Sequence, residues 1–224
     1  MPIRAVLFDR DDTIAVTDRG VFREAAQWTA QRVGQDPREV GEALQQLWAD
    51  TPSWWDLRTE ADETRYWQAY LERLAQQLNV PVSRLDGYLD AWPYHRYFRP
   101  VPEAREVLTA LRRRGLKTGV LSNTFPSIRA SLEATQLDDL IDVAISTCAA
   151  GVHKPEAGAF LYAAAQLQLP PADILFIDDR LENVEAARQV GMAAELIDLK
   201  RQTPGALHQL SDVLQVVETE LAGA

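Results

Sequence analysis

Apolar positions along this chain fall into two kinds of run, and the change from one kind to the other divides it. In the first kind a short stretch is built around a continuous or nearly continuous apolar run: "IRAVLFD" from Ile3, "LKTGVLSN" from Leu116, "IDVAIST" from Ile141, "DILFIDD" from Asp173 and "AAELIDL" from Ala193. Runs without polar alternation predict strands buried on both faces. Between them lie amphipathic stretches that predict helices: "PEAREVLTALRRRG", stopped by Gly115, then residues 126–135, 155–166 and 181–190. Strands alternating with helices predict right-handed βαβ units, hence an α/β fold built on a doubly wound parallel sheet.

The second kind of run repeats apolar residues at three- and four-residue spacing. "REAAQWTAQRVG", "PREVGEALQQLWAD" and "ETRYWQAYLERLAQQL" follow this pattern, with Gly34, Pro37, Pro52 and Pro81 punctuating them. They predict a small all-helical bundle. All six tryptophans, Trp28, Trp48, Trp54, Trp55, Trp67 and Trp92, fall inside it. The bundle interrupts the sheet after its first strand, so residues 1–16 and 97–224 are assigned to the sheet domain and residues 17–96 to the helical module.

A chain of 224 residues has room for a core plus an insert. A net charge of -10 disfavours nucleic acid or an anionic membrane as partner, because each phosphate contact needs a Lys or Arg. A small ligand is expected instead, and the oligomeric state is left open. No stretch approaches the roughly 20 apolar residues of a membrane span, and nothing after Met1 resembles a signal peptide. The single cysteine, Cys148, cannot form an internal disulfide, which fits a cytoplasmic location, and its apolar setting predicts a small buried residue.

Candidate chemistry lies where the strands end, since an open α/β sheet binds ligands outside its strands' carboxyl ends. The first strand ends in Asp9, Arg10, Asp11, Asp12 and Thr13, the second in Ser122, Asn123 and Thr124, and "DILFIDD" in Asp178 and Asp179. "GVHKPE", before a helix, offers Lys154. Carboxylates without a His or Cys cluster form a hard oxygen site suited to Mg²⁺, and such a cation makes their crowding tolerable. Lys154 and the Ser122 hydroxyl add donors for an anion, so the set is suited to a phosphoryl group.

The pattern DxDxT at Asp9, Asp11 and Thr13, "VLSNT" at Ser122, "HKP" at Lys154 and "FIDDRLENVEAA" at Asp178 and Asp179 resemble, in order and strand context, the four motifs of haloacid dehalogenase-like (HAD) superfamily hydrolases. The resemblance implies a Rossmann-like core with a helical cap inserted after the first motif. It implies Asp9 as the nucleophile that forms an aspartyl-phosphate, and Asp11 as acid and then base. It also implies Mg²⁺ held by Asp9, the backbone carbonyl of Asp11, Asp179 and, directly or through a neighbour, Asp178. Ser122, the Asn123 backbone and Lys154 would grip the phosphoryl oxygens. Two positions depart from the family's usual pattern: Asp12 stands where Gly is frequent, and Val184 follows Asn183 where Asp is frequent. Asp tolerates the left-handed backbone region, so the turn is expected to survive. Arg10, at the variable position, is free to point away from the site.

Within the module, Trp28, Trp48 and Trp67 are expected to fill the bundle core. Residues 51–58, carrying Trp54, Trp55 and Arg58, lie where the family's cap often faces the catalytic rim and are expected to select the substrate. The function implied is a Mg²⁺-dependent phosphatase acting on a small phosphorylated metabolite. The alternatives are a 2-haloacid dehalogenase or phosphomutase of the same superfamily, or a non-catalytic protein that binds a phosphorylated ligand. His95, His153 and His208 are read as loop residues.

Overall fold

The structure is a computed structural model that describes residues 3–49 and 54–222. Among these, β1 (Ala5–Phe8) and the short β2 (Ala15–Thr17) open the chain. The helices α1 (Arg19–Val33), α2 (Pro37–Ala49), α3 (Glu60–Gln77) and a single turn, α4 (Tyr88–Ala91), follow, and β3 (Phe98–Pro100) closes the excursion by pairing antiparallel with β2. The remainder alternates: α5 (Ala104–Arg113), β4 (Lys117–Ser122), α6 (Ile128–Ala134), β5 (Val143–Ser146), the single turn α7 (Thr147–Ala150) and α8 (Ala157–Leu167). Then come β6 (Ile174–Asp178), α9 (Leu181–Gln189), β7 (Ala193–Leu196) and α10 (Asp212–Ala222).

Five strands form one parallel sheet in the order β5-β4-β1-β6-β7. The chain therefore winds outward from β1 in one direction and then in the other, and the reversal lies beside β1. Neighbouring residues of β1 explain its unbroken apolar run. Val6 and Phe8 join the cluster under α5, α6 and α10, while Ala5 and Leu7 join the cluster under α8 and α9. With both faces covered, no position of the strand can be polar.

Helix starts and stops are written locally. Asp18 caps α1 by accepting from Gly20 N at 2.7 Å, and Gly34 ends that helix at φ 74°. Thr59 and Asp62 form a reciprocal capping box at the head of α3. A third apolar cluster is drawn from residues Ala25 to Trp92, separate from the two on the sheet. The β2–β3 ribbon is where the chain leaves for this module and returns.

Gly119, in the middle of β4, is required by close packing: a Cβ there would sit 2.9 Å from Leu7 Cδ1 and 3.4 Å from Val143 O. Gly119→Val is expected to destabilise the sheet by about 1–3 kcal/mol, since extra atoms in a filled core displace their neighbours. Thermal melting would register this, and an unchanged melting temperature would mean that the core at β4 is looser than these distances state.

Candidate active site

The strand-end residues converge. Lys154 is 4% exposed, and its Nζ donates to Asp9 Oδ1 at 2.7 Å and to Asp178 Oδ2 at 2.6 Å. The ammonium thus bridges the ends of the adjacent strands β1 and β6 from a loop before α8. Asn123 holds that loop in place: its Nδ2 donates to Lys154 O at 2.9 Å, and Lys154 N donates to Asn123 Oδ1 at 3.0 Å. Asn123 therefore uses its side chain to position Lys154. Asp178 is further fixed by Arg180 N, donating to Oδ1 at 2.8 Å, and by Asn183 Nδ2, donating to both carboxylate oxygens. Val184, where the motif often has a carboxylate, is buried in the cluster under α8 and α9.

Charge balance at this rim is negative. Asp9, Asp178 and Asp179 bring carboxylate oxygens within 4.8 Å of one another, and Lys154 supplies one positive charge. Burial pushes the Asp9 carboxyl up to about 7, opposed by Lys154 and reinforced by Asp178 and Asp11. Burial likewise raises Asp179 to about 6, with Asp178 and Asp12 adding to the rise. For Lys154, burial favours the neutral amine, but Asp9 and Asp178 outweigh it and keep the ammonium above its ordinary value. Carboxyls this reluctant to ionise are short of positive charge. The donor set fits a hard divalent cation: oxygen ligands only, clustered, and strained by mutual repulsion.

Ser122, at the end of β4, is buried, and its hydroxyl has no partner among the described residues. A buried hydroxyl without a partner is costly, so this one keeps hydrogen-bonding capacity that the described residues do not use. Asp12 adopts φ 51°, the left-handed conformation its place in the turn requires, and its carboxylate meets Lys200 Nζ at 3.2 Å.

Arg10 does not point away from the site. It is 1% exposed and grips Asp11 with two bonds, Nε to Oδ1 at 3.2 Å and Nη2 to Oδ2 at 2.9 Å. Its other donors reach Tyr94 Oη at 2.9 Å and Ser131 Oγ at 3.0 Å, and the guanidinium lies 4.2 Å from the centre of the Phe98 ring. Arg10 therefore orients the Asp11 carboxylate from inside the protein, while that side chain remains 48% exposed on the rim.

The helical module docks on the rim through residues that the sequence reading left out. Glu63 of α3 is 5% exposed and accepts from Ser127 N at 2.9 Å, Ser127 Oγ at 2.7 Å and Trp67 Nε1 at 3.2 Å. Phe125, from the loop after β4, carries rings of Trp54, Tyr66, Trp67 and Tyr94 against its own. A cavity of about 480 Å³ lies between module and rim, opening on Asp11, Asp12 and Asn123. Trp54 lines it. Trp55 and Arg58 do not: Trp55 packs edge-on against His153, and Arg58 Nη1 donates to Trp55 O and to Cys148 O at 3.0 Å, joining module to core. Residues 51–53 of the same expected loop lie outside the described residues. Of the three tryptophans read from their spacing as bundle core, Trp28 and Trp67 pack against the module's apolar cluster, Trp67 also walling the cavity, while Trp48 walls the cavity and stays exposed. Cys148 is buried and free, as its setting suggested, and burial pushes its thiol up to about 11. His95 lines the cavity, His153 Nδ1 meets Thr147 Oγ1, and His208 lies against Asp198 O.

Among the described residues no helix is long and apolar enough to cross a membrane. Residues 3–191 match the family described as haloacid dehalogenase-like hydrolase. The chain is 33% identical over 225 residues to phosphatase MT3486 of Mycobacterium tuberculosis (strain CDC 1551 / Oshkosh), covering 97% of this chain and 98% of that protein. It is also 26% identical over 207 residues to (S)-2-haloacid dehalogenase 1 of Pseudomonas sp. (strain CBS-3), covering 85% of this chain and 82% of that one. In fold it resembles the solved structure of a HAD phosphatase from Thermococcus onnurineus, with a TM-score of 0.67 at 22% identity, covering 96% of this chain and 98% of the other. With the family match running through four of the sheet's five strands and all of its strand-end clusters, this chain belongs to the haloacid dehalogenase-like hydrolases.

Proposed function

We propose that this hydrolase is a phosphatase that cleaves a small phosphorylated metabolite through an aspartyl-phosphate on Asp9, with Mg²⁺ as its cation. The observation that carries this reading is the buried Lys154 ammonium bonded to both Asp9 and Asp178, with Asp179 completing the carboxylate cluster. Such a group is placed to hold a phosphoryl oxygen beside the carboxylate that attacks phosphorus.

In the first step a carboxylate oxygen of Asp9 bonds to phosphorus as the bond from phosphorus to the alcohol oxygen breaks. Asp11 gives its proton to the departing alkoxide. In the second step Asp11 takes a proton from water, the water oxygen bonds to phosphorus, and Asp9 is released with its electron pair. Splitting one displacement into two lowers each barrier. Arg10 supports Asp11 in this role, because its two bonds fix the carboxylate's direction while each oxygen retains a lone pair that can carry the proton given to the leaving group. Ser122 and Lys154, with the Asn123 backbone, hold the phosphoryl oxygens. A divalent cation held by Asp9, Asp179 and Asp178, with the Asp11 carbonyl, would offset the charge of the phosphoryl group.

Asp11 also favours a phosphatase over a 2-haloacid dehalogenase. A departing halide needs no proton, so an acid beside it would serve nothing, whereas an alkoxide is a poor leaving group until protonated. The similarity to a named phosphatase across nearly the full length of both chains supports the same choice.

A screen of phosphomonoesters with Mg²⁺ and with chelator tests the reading. Turnover is expected only with the cation. Asp9→Asn is expected to lower it by at least about 1,000-fold, and Asp11→Asn by roughly 100- to 10,000-fold. Unaltered turnover by Asp9→Asn would exclude it as the nucleophile.

A stability measurement tests the cation separately. Asp9 at about 7 and Asp179 at about 6 lie above the ordinary 3.8, so the folded chain keeps protons that the unfolded chain has lost. Their contribution to stability is therefore greatest at low pH and falls as pH rises from about 4 to 7. A bound cation relieves this loss. Mg²⁺ is expected to raise the melting temperature more at about pH 8 than at about pH 5, and to do so less in Asp9→Asn. An equal rise at both pH values would remove these carboxylates from the cation's site.

A further inference from the structure

The cavity beside Asp11 has a chemistry of its own. It is walled by Trp48, Trp54, Trp67, Tyr94, Trp92 and Phe98, with further rings and the leucines of the module behind them. Several of these rings lie nearly parallel: Trp48 and Trp67 are 6.2 Å apart at 7°, and Trp67 and Tyr94 are 5.5 Å apart at 26°. Its ionisable lining consists of Asp11, Asp12, Glu63, His95 and tyrosines, and no Lys or Arg side chain lines it among the described residues. Glu63 is already occupied by Ser127 and Trp67. Trp92 is 7% exposed, and its indole N–H has no partner among the described residues.

These features discriminate between leaving groups. A carboxylate or second phosphate would find no Lys or Arg in the lining to pair with, since Arg10 is engaged by Asp11 and Lys200 by Asp12, so its desolvation would go uncompensated. A triose would leave most of about 480 Å³ unfilled, a volume within the roughly 300–1000 Å³ of sites that enclose drug-sized molecules. Flat apolar groups gain from burial against these rings.

Resting on the phosphatase reading above, we infer that the preferred substrate is the phosphomonoester of an uncharged alcohol bearing an aromatic ring, with the phosphoryl group at Asp9 and the ring in the chamber formed by Trp48, Trp67 and Tyr94. The lack of a lining Lys or Arg disfavours esters whose alcohol carries a carboxylate. Trp48, 40% exposed and at the edge of the module, is the wall residue whose removal disturbs the fold least.

The test compares 2-phenylethyl phosphate, ethyl phosphate and phosphoglycolate, which all release an alkoxide, so that leaving-group chemistry differs little between the first two. The aromatic ester is expected to show a kcat/KM at least about tenfold above each of the others, the value of burying one ring. Trp48→Ala is expected to narrow the ratio of 2-phenylethyl to ethyl phosphate. Equal rates for the aromatic and ethyl esters, or a preference for phosphoglycolate, would overturn the inference while leaving the phosphatase reading intact. If no ester is turned over, that reading fails, and the chamber is judged by the tryptophan indole N–H signals of the protein in NMR titrated with 2-phenylethanol. Shifts at Trp48 and Trp67, with Trp28 unmoved, support the aromatic site; no shift at either overturns it.

Discussion

Lys154 lies nearly out of water between two carboxylates that arrive from adjacent strands, and most of the molecule's organisation serves that placement. An ammonium so deeply buried is sustained only if its partners are fixed within hydrogen-bond reach, because removing it from water costs several kcal/mol. Asp9 and Asp178 are fixed by β1 and β6, whose parallel register sets Phe8 beside Ile177 and so brings the two strand ends level. The lysine's own loop is held by the reciprocal Asn123 amide, which projects from the end of β4. Three segments distant in sequence must therefore be correct together, and the two apolar clusters on the faces of the sheet supply the rigidity. The same arrangement leaves an excess of negative charge at the rim, which is the physical reason for a cation in the proposed chemistry.

Module and core are coupled by more than contact. Phe125 extends from the loop after β4 into the module's rings, and Glu63 returns the connection by accepting from Ser127 at the start of α6. Tyr94 links the two halves chemically, since its hydroxyl accepts from the guanidinium that holds Asp11 and its ring forms part of the cavity wall. A group pressing on that wall would act on the same Tyr94 that contacts Arg10, which holds Asp11. In the proposed mechanism substrate recognition and proton delivery would thus share a residue.

The sheet was legible because strands buried on both faces leave continuous apolar runs, and the strand-end carboxylates because nothing else explains charge packed against such runs. The β2–β3 ribbon was not, since three residues a side are too few to show a period. Helix α10 follows a stretch of loop with no later strand to alternate with, so the βαβ pattern did not reach it. Arg10 resisted reading for a different reason: a charged residue in a loop motif has the pattern of a solvated one, and its burial depends on Tyr94 and Ser131, 84 and 121 positions away. Trp48 and Trp67 carry the helical spacing of core residues, and spacing reports which face turns inward. It does not report whether that face meets another side chain or an open chamber.

The balance between the rim and the chamber follows from the charge of the whole chain. A protein of net charge -10 repels an approaching phosphate dianion at long range, so electrostatic steering, which speeds capture in basic proteins, works against this one. In the proposed phosphatase, holding the phosphoryl group would then depend on short-range contacts: one ammonium, one unpartnered hydroxyl and the cation that the carboxylates call for. Contacts to the phosphoryl group are common to every phosphomonoester and cannot distinguish one from another. Discrimination, and the affinity that long-range charge withholds, must come from the other end of the molecule, where burial of apolar surface is indifferent to the protein's net charge. In the proposed mechanism the aromatic chamber beside Asp11 would supply that contribution where the leaving group departs.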